Sequence, residues 1–590
     1  MPRAPLKIGF LLIRITITLA IAVLAIPVSV VQAQPANDQC ANAIEVFVDT
    51  PIAGTSVGAS GTNLSSCAGS GDVNDVWYYF IPGEDGLATF SLCGSASWDT
   101  TLSVFASCGG AELGCDDDAC GDLRSTTTVG VLMGQTYYVR VAGYGGATGT
   151  FTLTATLNPG GSAGGVDVVY SDTQGIHYWG SSGGIHAYSL SSHTCNLGDA
   201  NLPWNSTSPL LGMNAYKLAN GRLEQIGMSW LKNATVAAAG SGCGLPCNGS
   251  GGSQLGAGCR DIYGASYNGG QGILGPRSAC NAFTGQYPGP SGGSGNAIYK
   301  RLQISTSDID PNQNAGALYF SEGVYVAATD ASAGNALNNA SYKQFTVELS
   351  FQIFPVGPMH VGEPAIMAWR DHGLGIGNPD ESVELTTVDV PSEGRFHVAS
   401  KVTPLGNGMW RYDYAIYNLN SHRSAGSLSV PFPTGTTIAN VGFHDVDYHS
   451  GEPFDNTDWP FNVNANDVKW NSPQTFAQNA NSNALRFGTM YNFWFDADVG
   501  PVSGEATIGL FRTGSPDSVA AMVRVPGACA GDCFVDGQRN GLDIQGYLDC
   551  VLGVAHGDCG CADISAQGFA SIADLDAFVD MIIGGDDCPL

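Results

Sequence analysis

Apolar and polar residues alternate with a period of two along much of this chain. Residues 76–80, 88–92, 101–105, 137–141 and 149–154 carry that alternation, with Gly-rich turns between them. Successive side chains of a strand point to opposite faces, so the pattern predicts half-buried β-strands. A second series covers 344–354, 365–369, 382–388, 395–402, 409–417 and 438–443. The C-terminal stretch breaks the pattern. There, two apolar runs, 544–552 and 575–583, each follow a short acidic loop and predict two short helices. The chain therefore reads as mainly β, with multidomain β-sandwiches and a small α-helical, disulfide-rich C-terminal module.

Composition divides this frame. Residues 35–157 form one β-sandwich module, and the Gly/Ser segment 158–165 is a flexible linker. A large Gly- and aromatic-rich β region fills 166–525, as one or two sandwiches with a division near 335–342, and 527–590 is the tail. The chain has 590 residues and carries 52 acidic against 23 basic side chains, a net charge of −29. That balance excludes a nucleic-acid binder, which needs a basic footprint.

The N-terminus predicts export. Arg3, Lys7 and Arg14 precede an apolar run over 15–31, and Val31-Gln32-Ala33 offers a small-residue cleavage site. Residues 1–33 are read as a signal peptide, with no transmembrane segment after its removal. The competing reading is an uncleaved anchor, which Arg14 and Pro27 interrupt. All 17 cysteines follow Ala33, as six in 40–120, five in 195–280 and six in 529–588. Even sets read as disulfide frameworks of an oxidising compartment, secreted, extracellular or at the cell surface. The middle set leaves one cysteine over among Cys195, Cys243, Cys247, Cys259 and Cys280. The pair Cys243 and Cys247 reads as disulfide-bonded cysteine, since no second pair matches its spacing.

The tail holds the most specific spacing. Its two twelve-residue loops run 532–543 and 563–574, 31 positions apart, with Gly at position 6 of each. Asp532, Asp536, Asn540 and Asp543 supply oxygens in the first, and Asp563, Ser565, Ser571 and Asp574 in the second. Calcium takes six to eight oxygen ligands, and the Gly allows the sharp turn. This duplicated loop–helix pattern resembles a dockerin, which implies a calcium cofactor and a cohesin-like partner. Phe534 and Gln567 depart from the ligand pattern, which lowers the carboxylate count and the expected affinity. Six cysteines in the tail offer a second source of rigidity.

The first module also has a family likeness. Asn37-Asp38-Gln39-Cys40, Asp75-Val76-Trp77-Tyr78-Tyr79-Phe80, Asp99-Thr100-Thr101-Leu102 and Gly149-Thr150-Phe151 follow an order that resembles the bacterial pre-peptidase C-terminal (PPC) domain. The resemblance implies a small accessory β-sandwich of a secreted protein, with glycan or protein-surface binding.

Candidate chemistry lies between these ends. Nine of the ten histidines fall at 177–449. His444 and His449 flank Asp445 and Asp447, and continuing the strand would place Asp445, Asp447 and His449 on one face. His186, His193, His360 and His372 are further nitrogen donors for a transition metal. The acidic segment 445–458 suits structural calcium equally, or a solvated loop. Glu224, Glu322, Glu363, Glu381 and Glu384 are the carboxylates from which a glycosidase pair would come. The G-x-S-x-G matches at 180–184 and 289–293 lack the strand-to-helix setting of a nucleophile elbow.

Two readings result, and no catalytic residue is assigned in either. One is a secreted modular protein with a polysaccharide-associated binding role, whose partner is a carbohydrate or the cell envelope. The other is an extracellular enzyme acting on a biopolymer through copper, zinc or iron in the His-rich region.

Overall fold

The computed structural model describes residues 34–584, apart from 63–64, 68–70, 84–85, 121–122, 132–133, 160–163, 291, 407, 528–530, 534–538, 555–558, 563 and 565–570. The expected signal peptide and residues 160–163 of the expected linker lie outside the described residues, and residues 158 and 159 of that linker end the strand Thr150–Pro159.

The first module packs two sheets face to face. One has the order Ile44–Glu45, Val73–Phe80, Tyr137–Gly143, Thr100–Phe105, Glu112–Asp116. The other runs Ile52–Thr55, Thr150–Pro159, Gly86–Ser91, Thr126–Val131. Alternate residues of both sheets, among them Val76, Tyr78, Val139, Val141, Phe90, Val129 and Leu153, meet in a single apolar core. Each such side chain contributes about 1.5–3 kcal/mol of burial. Arg140 is fully buried and donates to both Asp72 and Asp75, so its charge enters the core paired.

The central region is built from three larger sheets. A branched ten-stranded sheet has as its main path Ile176–Ser182, Ile185–Leu190, Leu302–Ser305, Arg222–Met228, Leu210–Ala219, Leu318–Val326, Ala340–Val347 and Ile353–His360. Two five-stranded sheets follow, with their first strand at Val383–Val390 and their last at Ser518–Pro526. The five-stranded pair encloses its own core around Phe396, Tyr412, Trp470 and Phe493.

Sequence patterning located nine of these strands to within a few residues, although its 344–354 run straddles the turn between Ala340–Val347 and Ile353–His360. It failed at 365–369, where Ala365–Met367 and Ala368–Asp371 form consecutive short helical turns. Pro364 at the helix entrance and two alanines favour that outcome over a strand. The expected division near 335–342 falls inside the large sheet, because 318–326 and 340–347 are antiparallel neighbours. The Asn-rich segment there closes a hairpin.

A second core joins the halves. Tyr216, Phe320, Tyr342 and Trp369 of the first half pack with Ala399, Ala415, Tyr417 and Met490 of the second. Buried polar groups seal the same interface: Asn492 Nδ2 donates to Leu223 O at 2.9 Å, and Met490 N to Gln225 Oε1 at 2.7 Å.

The tail contains the helices Asp543–Val551 and Leu575–Gly584. Cys533–Cys561 and Cys550–Cys559 cross-link it, and Tyr547 stacks on Phe578 with ring centroids 4.0 Å apart. Among the described cysteines seven disulfides form, and Cys280 is the free one of the middle set. No described helix is long and apolar enough to cross a membrane.

Candidate functional site

The large sheet carries a polar row across four of its strands. Asn214 pairs with Glu322, Glu322 with Tyr342, and Tyr342 with His360. Directly opposite residues share a face, so the row runs from the core to the sheet edge. Asn214, Glu322 and Tyr342 are fully buried, while the His360 side chain is 24% exposed.

At the edge the chain turns through Gly362, whose φ of +75° suits glycine, and returns Glu363 to His360. Glu363 Oε2 lies 3.1 Å from His360 Nδ1. The helical turn that follows is tied to the row, since Ala365 N donates to Glu322 Oε2 at 2.7 Å. That turn presents Asp371, which accepts from the Tyr342 hydroxyl at 2.8 Å. Tyr342 also lies flat against the His360 ring, with centroids 4.1 Å apart and planes 11° apart. One ligating atom each from His360, Glu363 and Asp371 therefore lie within 4.8 Å of one another. Burial lowers the His360 pKa, but the Glu363 hydrogen bond and the charges of Glu363 and Asp371 outweigh it and leave the pKa raised. Burial, then the Glu363 charge, pushes the Asp371 carboxyl up.

His372 backs this cluster without facing it in the same way. Gly377 N donates to its Nδ1 at 2.9 Å, so that nitrogen is an acceptor and the neutral ring holds its proton on Nε2, 3.5 Å from the Tyr342 hydroxyl. Burial, with His360 beside it, drops its pKa to about 3.

The other expected metal ligands stand elsewhere. His186 has Tyr178 Oη 2.9 Å from Nδ1 and Thr306 Oγ1 3.1 Å from Nε2, and its ring stacks on Phe351. His193 is buried opposite Asp172 and lines a groove of about 240 Å³ with Thr127, Thr128 and Arg260. His444 Nε2 lies 3.3 Å from Gln225 O, and His449 Nε2 lies 2.8 Å from Arg301 O. The shared face expected for Asp445, Asp447 and His449 does not form. The strand Ile438–His444 ends first, so alternation stops, Asp447 is exposed and His449 is buried.

Sequence reasoning named His360 and His372 as donors but missed Asp371 and Glu363 as companions. The signal available was the His360-x-x-Glu363 spacing. Glu322 is a structural acid, enclosed by Asn214, Tyr216, Tyr417 and Ala365 N–H. Ser182 sits at a hairpin, between Ile176–Ser182 and Ile185–Leu190, which removes the nucleophile-elbow reading of 180–184.

A second acidic group lies at one end of the first module. Asp99 precedes the strand Thr100–Phe105, and Asp117 and Asp118 follow Glu112–Asp116. Burial, then the neighbouring Asp118, raises Asp117 to about 6. Tyr144, 46% exposed, donates its backbone N–H to Asp99 O at 3.2 Å. An acidic, aromatic end of this kind offers acceptors and a flat apolar face.

In the tail the two repeats share a detail. Asn540 N donates to Asp543 Oδ2 at 2.7 Å, and Ser571 N to Asp574 Oδ2 at 3.0 Å. Leu542 N bonds the Asn540 side chain, as Ala573 N bonds Ser571 Oγ. In the second loop these bonds form a capping box of Ser571 and Asp574 on the turn Ile572–Asp574 that leads into the helix. Asp532, Asp543 and Asp574 are buried, and the expected ligands Asp536, Asp563 and Ser565 lie outside the described residues.

Comparison with known proteins covers part of this picture. No curated protein matches the chain. Two solved structures of the exo-chitosanase CsxA from Amycolatopsis orientalis, both variants in complex with PNP-beta-D-glucosamine, are among those that match. One is 10% identical with a TM-score of 0.11, covering 60% of this chain and 26% of its own. The other is 10% identical with a TM-score of 0.12, covering 57% and 25%. The chain thus spans about a quarter of their length, and the likeness carries no argument. The first module has a match of its own: residues 36–154 fit a T9SS-associated family model described as galactose binding domain-like.

Proposed function

We propose that this is a secreted carbohydrate-binding protein that uses its first module to hold neutral glycans. The family match over 36–154 is the observation that carries the reading. The disulfides suit an extracellular setting. A net charge of −29 repels acidic polymers and favours neutral ones. At the acidic end of the module, Asp99 and Asp117 would accept sugar hydroxyls while Tyr144 stacks on a ring face. The test is a glycan array probed with the mature chain and with Tyr144→Ala and Asp117→Asn. Retention of neutral glycans, weakened at least about tenfold in either variant, is expected. Binding that both variants leave intact would move the site, and an array without any bound glycan would sink the reading.

The PPC resemblance of the same module agrees with an accessory binding role. For the tail, the proposal is a dockerin-like calcium module that docks the protein to a cohesin-like or cell-envelope partner. It is supported by the 31-residue repeat of loop, cap and helix. Calcium uptake that chelation reverses is its measurement.

A further inference from the structure

We propose that His360, Glu363 and Asp371 bind a divalent first-row transition metal, zinc by preference, at the edge of the large sheet. The inference is independent of glycan binding by the first module. It rests first on spacing. Zinc lies about 2.0–2.2 Å from imidazole nitrogen and carboxylate oxygen, so two ligands of a tetrahedral site are ~3.3 Å apart. His360 Nδ1 and Glu363 Oε2 are already 3.1 Å apart, and the ligating atoms of all three residues fall within 4.8 Å.

Charge and support point the same way. Two carboxylates and one imidazole share the cluster, and the nearby cation Arg370 is 3.7 Å from Asp371 and 44% exposed. A divalent ion would offset the negative charge that Glu363 and Asp371 bring together there. The ligands are also oriented from behind, as metal ligands are in outer-shell networks. Tyr342 is buried, fixes Asp371 by its hydroxyl and fixes the His360 ring by stacking. Glu322 holds the turn that carries Asp371, through Ala365 N.

The ligand set selects the metal class. One nitrogen with two oxygens suits zinc or a neighbouring first-row ion better than a thiolate-preferring one. Side-chain exposures of 24% for His360, 31% for Glu363 and 25% for Asp371 leave room for solvent to complete the coordination. Three protein ligands with an open position is the arrangement that keeps a metal accessible to an outside molecule. The alternative is a plain His–Glu ion pair with no metal.

The experiment uses the full mature chain, stripped of metal and then titrated with zinc in calcium-containing buffer. Bound zinc is measured by elemental analysis after gel filtration, for the wild type, His360→Gln and Glu363→Gln. The wild type is expected to retain one equivalent more than either variant, and to lose it as pH falls and His360 is protonated. Equal zinc content in all three proteins overturns the proposal. X-ray absorption of the zinc-loaded wild type gives a readout that does not depend on variant folding. Imidazole scattering from a nitrogen- and oxygen-bound ion is expected, and its absence also overturns the site.

Discussion

At Glu322 a full carboxylate is buried beside the shared core of the central region. Its Oε1 accepts from Asn214, Tyr216 and Tyr417 at 2.7–3.0 Å, and its Oε2 from Ala365 N at 2.7 Å. Glutamine in its place must turn an NH₂ toward one of these donors. Glu322→Gln is therefore expected to cost about 1–3 kcal/mol, the usual penalty for a buried polar group that loses its partner. Chemical denaturation measures it, and a loss under about 0.5 kcal/mol would show that the network relaxes freely. Burial raises the Glu322 pKa against those four donors. A raised carboxyl binds its proton more tightly when folded. Its contribution is therefore full below the ordinary carboxyl range and is withdrawn as pH rises through the folded value. The variant's deficit should accordingly be largest at acid pH. None of this was readable at the residue scale, because Glu322 looked like any of five candidate carboxylates. What distinguishes it is cross-strand register, and a single sequence does not reveal which residues stand opposite one another.

Elements were more legible than sites. Strands announce themselves through alternation, and most strands carrying the first module's main core were visible that way, Thr126–Val131 with its buried Val129 and Val131 being missed. The turn over 365–371 was not, because an apolar run of that length has the same composition whether strand or helix. His360 and His372 were noticed for their type, yet the cluster depends on this misread element to bring Asp371 to the sheet edge. In the tail the 31-residue repeat was legible, but 540, 543, 571 and 574 were read as calcium ligands and their bonds to one another, 540 with 543 and 571 with 574, were not foreseen. Capping aspartates at helix starts favour cation binding nearby only if their remaining oxygens can join the loop ligands. Calcium addition is thus expected to raise the thermal midpoint of the tail helices, followed by amide exchange over 543–551. Replacing Asp532 and Asp543 with Asn should abolish the gain. Identical exchange with and without calcium would refute the calcium reading of this module.

Across the whole molecule, the first module has a core of its own, whereas the central region does not divide so cleanly. Its two halves share apolar packing from Tyr216 and Tyr342 to Tyr417 and Met490, so neither half is complete without the other. They are expected to unfold in one transition, with the first module free to melt separately. Cys280 belongs to that shared core, 6% exposed, its thiol pKa pushed up to about 12 by burial. Alkylation needs the thiolate, which burial withholds while the core is closed. The odd cysteine therefore serves as an internal clock. Its slow labelling under mild denaturant should follow the tryptophan signal of the central region, and fast labelling insensitive to denaturant would mean that the halves separate on their own.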